Sequence, residues 1–233
     1  MRLSRRVLPA LVLILCTHSA FAGKGGGAYT TGFTRWSSSS NGFASWTRSG
    51  VRIDASGALT LDVATAAAGV DPYAPGAYNG GNFYNGATFV VGEAISPIVV
   101  PASPFLEAIP SWNATTPGGT WVETQLRARV GGVWTKWYNL GVWDDDNSTV
   151  RRHSVTGQGD TAGTVAVDTL KLATKKGTAD AIQLKLRLFS DTGVNLPSVR
   201  NASVATSVTP VAPSSLQAGD PSKWNRLLNV PQC

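Results

Sequence analysis

Few residues in this chain are of the types that make or break bonds. Cysteine occurs at Cys16 and Cys233 and histidine at His18 and His153. Cys16 and His18 belong to an N-terminal apolar run and its exit, so His153, in Arg151-Arg152-His153-Ser154, is the one base in the body of the chain. Nucleophilic catalysis needs a Ser or Cys with a base beside it. No serine is marked by a strained turn, and His153 reads as a surface or sheet-edge histidine. Cys233 becomes a nucleophile only if more chain follows or if His153 folds over it, and an inert thiol is the plainer reading. The glutamates Glu93, Glu107 and Glu123 are too far apart in sequence to mark a glycosidase pair, which would face one cleft from neighbouring strands. They are expected to serve as ordinary ion-pair partners, a hydrolase that brings these scattered carboxylates together in the fold being the remaining alternative. No catalytic residue is assigned.

Asp144-Asp145-Asp146-Asn147 clusters hard oxygens of the kind calcium takes, without the alternating spacing or distal glutamate of a calcium loop. It reads as a solvated loop tip, and no metal or other cofactor is expected. Trp121, Trp134, Trp137, Tyr138 and Trp143 are more suggestive. Strict alternation sets Trp134 with Tyr138 on one face of a hairpin and Trp137 with Trp143 on the other. Both pairs are hard to bury in a two-layer fold unless a loop covers one of them. Exposed indoles could stack on sugar rings, so Trp134, Trp137, Tyr138 and Trp143 are the candidate ligand-binding residues. The more ordinary outcome is that a loop such as Tyr78–Gly86 covers them as core. Arg127, Arg129, Lys185 and Arg187 point outward from their strands, either as a basic stripe for an anionic wall polymer or as a solvated face that discourages edge pairing.

Positioning these residues falls to strands. The 233 residues are 42% apolar and 15% charged, which excludes a disordered, collagen-like or coiled-coil chain. Val51–Asp54 and Leu59–Val63 alternate apolar with polar around the turn Ala55-Ser56-Gly57. Val122, Thr124, Leu126, Ala128 and Val130 share one side of a long strand, and Gly131-Gly132 turns it into Val133–Tyr138. Thr164–Leu172 and Val199–Thr206 read as further strands, and Ile182, Leu184, Leu186 and Leu188 face one way on another. Helix signals are nearly absent beyond one possible turn at Ala64–Ala68. Many half-buried strands separated by short turns predict an all-β chain, an antiparallel β-sandwich of jelly-roll type.

The flanks have different chemistry. MRLSRR, an apolar stretch and Ala20-Phe21-Ala22 predict a signal peptide (1–22) cleaved after Ala22, hence a secreted or periplasmic protein. The apolar stretch is too short to span a bilayer, and no membrane span is expected. Arg2, Arg5 and Arg6 lie in that segment, so the formal charge of +6 falls to +3 on the remainder, which argues against a nucleic-acid partner. A glycine-rich leader (23–32) precedes the sandwich (33–207). A Pro/Ser/Ala-rich linker (208–222) follows it, and then an apolar segment, Lys223–Cys233. That last segment reads as the start of a second domain cut short, the alternative being a tail that packs back on the sandwich.

Several long runs are too specific to be generic sheet patterns: Tyr78–Gly86 (YNGGNFYNG), Gly92–Pro97, Phe105–Pro117 continuing through Gly119–Glu123, Trp134–Tyr138, and Arg152–Asp160. Across nearly the whole mature chain they resemble secreted bacterial proteins of the C39-like cysteine peptidase family. The resemblance is to the non-catalytic N-terminal region, a β-sandwich that precedes a papain-like domain. It implies that the catalytic glutamine, cysteine and histidine lie beyond Cys233, and that Leu227–Cys233 is similar to the opening of the peptidase domain. Asp144–Asp146 is more acidic than the resemblance implies. The expected function is therefore an exported accessory domain, inactive alone, whose partner is its own peptidase domain. The alternative is a stand-alone module binding carbohydrate or cell-wall polysaccharide through Trp137 and Trp143.

Overall fold

The computed structural model describes residues 29–208. The signal segment, most of the leader, the linker and the segment 223–233 lie outside them. Fourteen strands follow in order: β1 (Thr30–Ser37), β2 (Thr47–Ser49), β3 (Val51–Ile53), β4 (Leu59–Leu61), β5 (Ala67–Val70), β6 (Thr88–Ile95), β7 (Glu107–Thr115), β8 (Thr120–Val130), β9 (Val133–Trp134), β10 (Tyr138–Trp143), β11 (Gly163–Ala166), β12 (Thr169–Leu172), β13 (Ala179–Ser190) and β14 (Ser198–Val208). They form two antiparallel sheets. The first runs β11-β12-β7-β14-β4-β3, with β1 also on β14; the second runs β10-β8-β13-β6-β2, with β5 on β6 and β9 on β8. The β-sandwich expected from alternation is present, and no helix among the described residues is long and apolar enough to cross a membrane.

The sandwich forms because one side of each long strand is apolar. Val122, Leu126 and Ala128 of β8 and Ile182, Leu184, Leu186 and Leu188 of β13 pack against Leu59, Leu61, Ala108, Leu170, Val199 and Val204 of the other sheet. Each such side chain, fully buried, contributes about 1.5–3 kcal/mol. Strand β1 starts earlier than the composition implied. Thr30, Thr31 and Gly32, inside the glycine-rich leader, pair with Val208, Ser207 and Thr206 of β14.

A second apolar cluster lies on the outer side of the second sheet: Trp121, Phe189, Phe89, Val91, Phe83, Tyr84, Val142 and Val150. Trp121 and Phe189 are paired residues of β8 and β13, and their rings stack at 5.1 Å with planes 11° apart. The run Tyr78–Gly86 forms much of the cover. Asp71 holds that loop in place, its Oδ2 accepting from the backbone N–H of Tyr84 (2.7 Å) and Gly86 (2.9 Å) and its Oδ1 from that of Tyr73 (3.1 Å).

Two segments read as single strands are broken. Thr164–Leu172 is a tight hairpin, with Ala166 opposite Thr169 and the turn at Val167-Asp168. Val167 takes φ +60 there, a left-handed conformation that a β-branched residue resists, and its side chain is 76% exposed. The second break, between β9 and β10, changes the geometry of the aromatic hairpin. At the first, Val167→Gly should raise stability by about 1 kcal/mol, because it relieves a steric cost of roughly 1–2 kcal/mol and loses part of that gain to unfolded-state entropy. The midpoint of urea unfolding measures it, and an unchanged or lower midpoint would refute the strain.

Candidate functional site

On the outer face of the second sheet, β8 and β13 set their polar residues opposite one another: Glu123 with Arg187, Gln125 with Lys185, Arg127 with Gln183. Next to the aromatic cover, Glu123 is only 1% exposed. Its carboxylate accepts from the Tyr84 hydroxyl, the Gln125 amide and Arg187 Nη1, the last at 3.2 Å. Arg187 Nη1 also reaches Tyr84 Oη at 3.1 Å, and Arg187 Nε lies 3.0 Å from Glu93 Oε1. That approach is an ion pair without hydrogen-bond alignment. Burial, reinforced by the Glu123 carboxylate, pushes the Tyr84 hydroxyl well above the ordinary phenol range. Tyr84 therefore stays a neutral donor, tying the cover loop to the sheet.

Further along the face the aromatic hairpin meets the cations. Trp134 is opposite Arg129 on the sheet and so faces outward. Trp137 lies in the irregular stretch between β9 and β10. The Arg127 guanidinium stands 4.7 Å from the ring centroids of both Trp134 and Trp137, and Lys185 Nζ stands 4.5 Å from that of Trp137. Such contacts are worth about 0.5–2 kcal/mol each, most when desolvated. Burial lowers the Lys185 pKa, with the neighbouring Glu93 carboxylate working the other way. Arg127 Nε and Nη2 both donate to Gln183 Oε1, at 3.0 and 2.6 Å.

This arrangement corrects the alternation drawn from sequence. The register of β10 on β8 shifts between Asn139 and Gly141, inserting Leu140 as an extra residue, and one inserted residue exchanges the faces of everything after it. Trp143 consequently sits opposite Val122 and packs on the main core with Tyr138 and Leu140. Trp134 and Trp137 share the outer face instead. A sugar platform of Trp137 with Trp143 is not assembled. The basic stripe is also largely self-compensated, since Arg129 pairs with Asp180 at 2.9 Å, Lys185 with Glu93 at 3.7 Å, and Arg187 with both Glu93 and Glu123.

The family model described as Peptidase C39 N-terminal domain matches residues 32–207, which is the whole of this sandwich apart from its outermost residues. The chain belongs to the Peptidase C39 N-terminal domain family. No curated protein is found to match it. A solved structure of a family two carbohydrate esterase from Cellvibrio japonicus aligns with 80% of this chain and 37% of its own, at 11% identity and a TM-score of 0.27. The chain thus spans little more than a third of that protein's length.

In this C39 N-terminal domain the other candidate groups are occupied structurally. His153 Nδ1 lies 2.8 Å from the Arg151 carbonyl oxygen, and its ring packs against Tyr78 and Phe83. Carboxylate oxygens of Asp144, Asp145 and Asp146 lie within 4.8 Å of one another. Asp144 is fully buried, however, and its Oδ2 accepts the backbone N–H of Thr149 (3.0 Å) and Val150 (3.1 Å), closing the loop on itself. Sequence reasoning passed over Tyr84 and Trp112 as site residues. Tyr84 gave no periodic signal, being in a loop; Trp112 does share the inward parity of Ala108 and Pro110 on β7.

Glu123→Ala removes the buried anion that half-buried Arg187 pairs with, and should cost about 3 kcal/mol. Tyr84→Phe should cost about 1–2 kcal/mol, and the double variant should cost less than the sum; additive urea-denaturation losses would show that the two are not coupled. At the hairpin exit, partial burial works against ionisation of Asp160. Hydrogen bonds from Tyr138 Oη and the N–H of Ala162 and Gly163, with Lys136 beside it, outweigh burial and hold the carboxyl at about 2, against 3.8 for an ordinary aspartate. A folded pKa below the unfolded one gives stability that is full above pH 4 and lost as pH falls toward 2. Asp160→Asn should flatten that acid limb of the stability curve, and an unchanged limb would remove Asp160 as its source.

Proposed function

We propose that this domain is an exported, non-catalytic accessory to a papain-like cysteine peptidase domain in the same polypeptide, acting on the polypeptide which that domain cleaves. The family match over residues 32–207 carries the reading. The chemistry agrees with it: among the described residues there is no cysteine, and the one histidine is packed between aromatic rings with its Nδ1 on a carbonyl. What the sandwich offers is two rigid sheets, an outer face whose charges are mostly matched internally, and an aromatic cover. These are properties of a surface that positions or holds a neighbour. The alternative glycan-binding reading loses its platform, because Trp137 and Trp143 face opposite ways and cations approach the outer indoles.

The test is hydrolysis of casein by the purified chain carrying Cys233→Ser, which removes its terminal thiol. No hydrolysis is expected. A peptidase-bearing protein with residues 29–208 deleted should lose kcat/KM on casein at least tenfold while keeping it on a short chromogenic peptide. Hydrolysis by the Cys233→Ser chain, or equal kcat/KM on casein with and without the sandwich, would overturn the reading.

A further inference from the structure

Where β7 of the first sheet approaches β10 of the second, the sandwich is open. A cavity of about 310 Å³ there is lined by Trp112, Leu140 and Trp143, with Arg152, His153 and Asp168 among its other walls. Trp112 and Trp143 come from opposite sheets, and both are half-buried against the main core. The volume is at the lower end of the roughly 300–1,000 Å³ of small-molecule sites, room for one large side chain rather than a run of sugar rings. One cation and one carboxylate, Arg152 and Asp168, leave the lining without net charge, so an apolar group is preferred to an ion.

The strand beside the cavity is unfinished. β12 pairs with β7 only at Glu107 and Ala108, so among the described residues Ile109–Thr115 has no strand partner on that edge. Pro110 in this stretch fits an edge strand, where a missing N–H is tolerated. The strained turn at Val167-Asp168 ends β11 and β12 just there and places Asp168 in the cavity wall. An open edge next to an apolar cavity is the arrangement that binds an extended peptide, with main-chain hydrogen bonds along the strand and one side chain in the pocket.

We propose that this seam binds an extended stretch of the peptidase's polypeptide substrate, which adds as a strand to β7 and seats an apolar side chain between Trp112 and Trp143. The source of the segment rests on the accessory reading above; the site itself does not.

The probe is a fluorescein-labelled octapeptide of alternating Thr and Ser around a central Phe, titrated by anisotropy against the full 233-residue chain. Saturable binding is expected, weakened at least tenfold by Phe→Ala in the peptide, by N-methylation of alternate backbone nitrogens, and by Trp112→Ala in the protein. Because Trp112 borders the core, hydrogen exchange on the unaltered chain supplies an independent readout: the peptide should slow amide exchange within residues 109–115. No binding, binding indifferent to N-methylation, unchanged exchange in 109–115, or binding of chitohexaose with the peptide inert would each overturn the proposal. The accessory reading is decided separately by the casein assay. A chain that binds the peptide yet hydrolyses casein keeps the site and loses that reading; one that does neither loses the site alone.

Discussion

Glu123 is a carboxylate taken out of water in the middle of a sheet, and much of what lies over that sheet follows from keeping it paired. Leaving such a charge without partners costs several kcal/mol. Here the partners come from three elements: Gln125 from its own strand, Arg187 from β13 and Tyr84 from the cover loop. The Tyr84 bond ties the loop 71–87 to the sheet, and Asp71 fixes the loop's return. The aromatic cluster of Trp121, Phe89 and Phe189 lies immediately beside this polar junction. One end of the outer face is thus dry and aromatic, and the other is wet and charged, with Glu123 and Arg187 at the boundary.

That boundary explains why the outward-facing cations do not make a basic patch. Each of Arg129, Lys185 and Arg187 meets a carboxylate, and Arg127 is held by Gln183 between two indoles. A face organised in this way is nearly neutral and offers a polyanion little free positive charge. The unsatisfied features lie elsewhere, at the seam where β12 stops short and β7 keeps an open edge. For a domain of the C39 N-terminal family, that places the internally matched surface and the open binding edge on different parts of the sandwich.

The fold class and most strands were legible because period-two patterning is local. Ile182 to Leu188 alternate along one strand, and the predicted turn Ala55-Ser56-Gly57 forms, with Ser56 N donating to Asp54 Oδ1 at 2.8 Å and Gly57 at φ +81. The hairpin at Val133–Tyr138 was legible only in part. Its Gly-Gly turn pairs Val130 with Val133 as expected, but the break after Trp134 and the extra residue at Leu140 depend on how β10 docks on β8. The one local mark of that bulge is Gly141, at φ +154 beside Leu140, since a glycine inside a strand often sits at a bulge; which residue is inserted is set by the neighbouring strand.

The sequence by itself determined which residues are apolar at alternate positions, and hence that this chain buries two sheets face to face. It also determined the supply of chemistry, with one histidine in the body of the chain and no cysteine between Cys16 and Cys233. Only the tertiary structure decided which tryptophans share a face, that Glu123 and Tyr84 meet across 39 residues, and that Trp112 and Trp143 line one cavity. Burial along a strand is a property of neighbours in sequence. Register, bulges and the meeting of two sheet edges are properties of neighbours in space, and a single inserted residue is enough to exchange one face for the other.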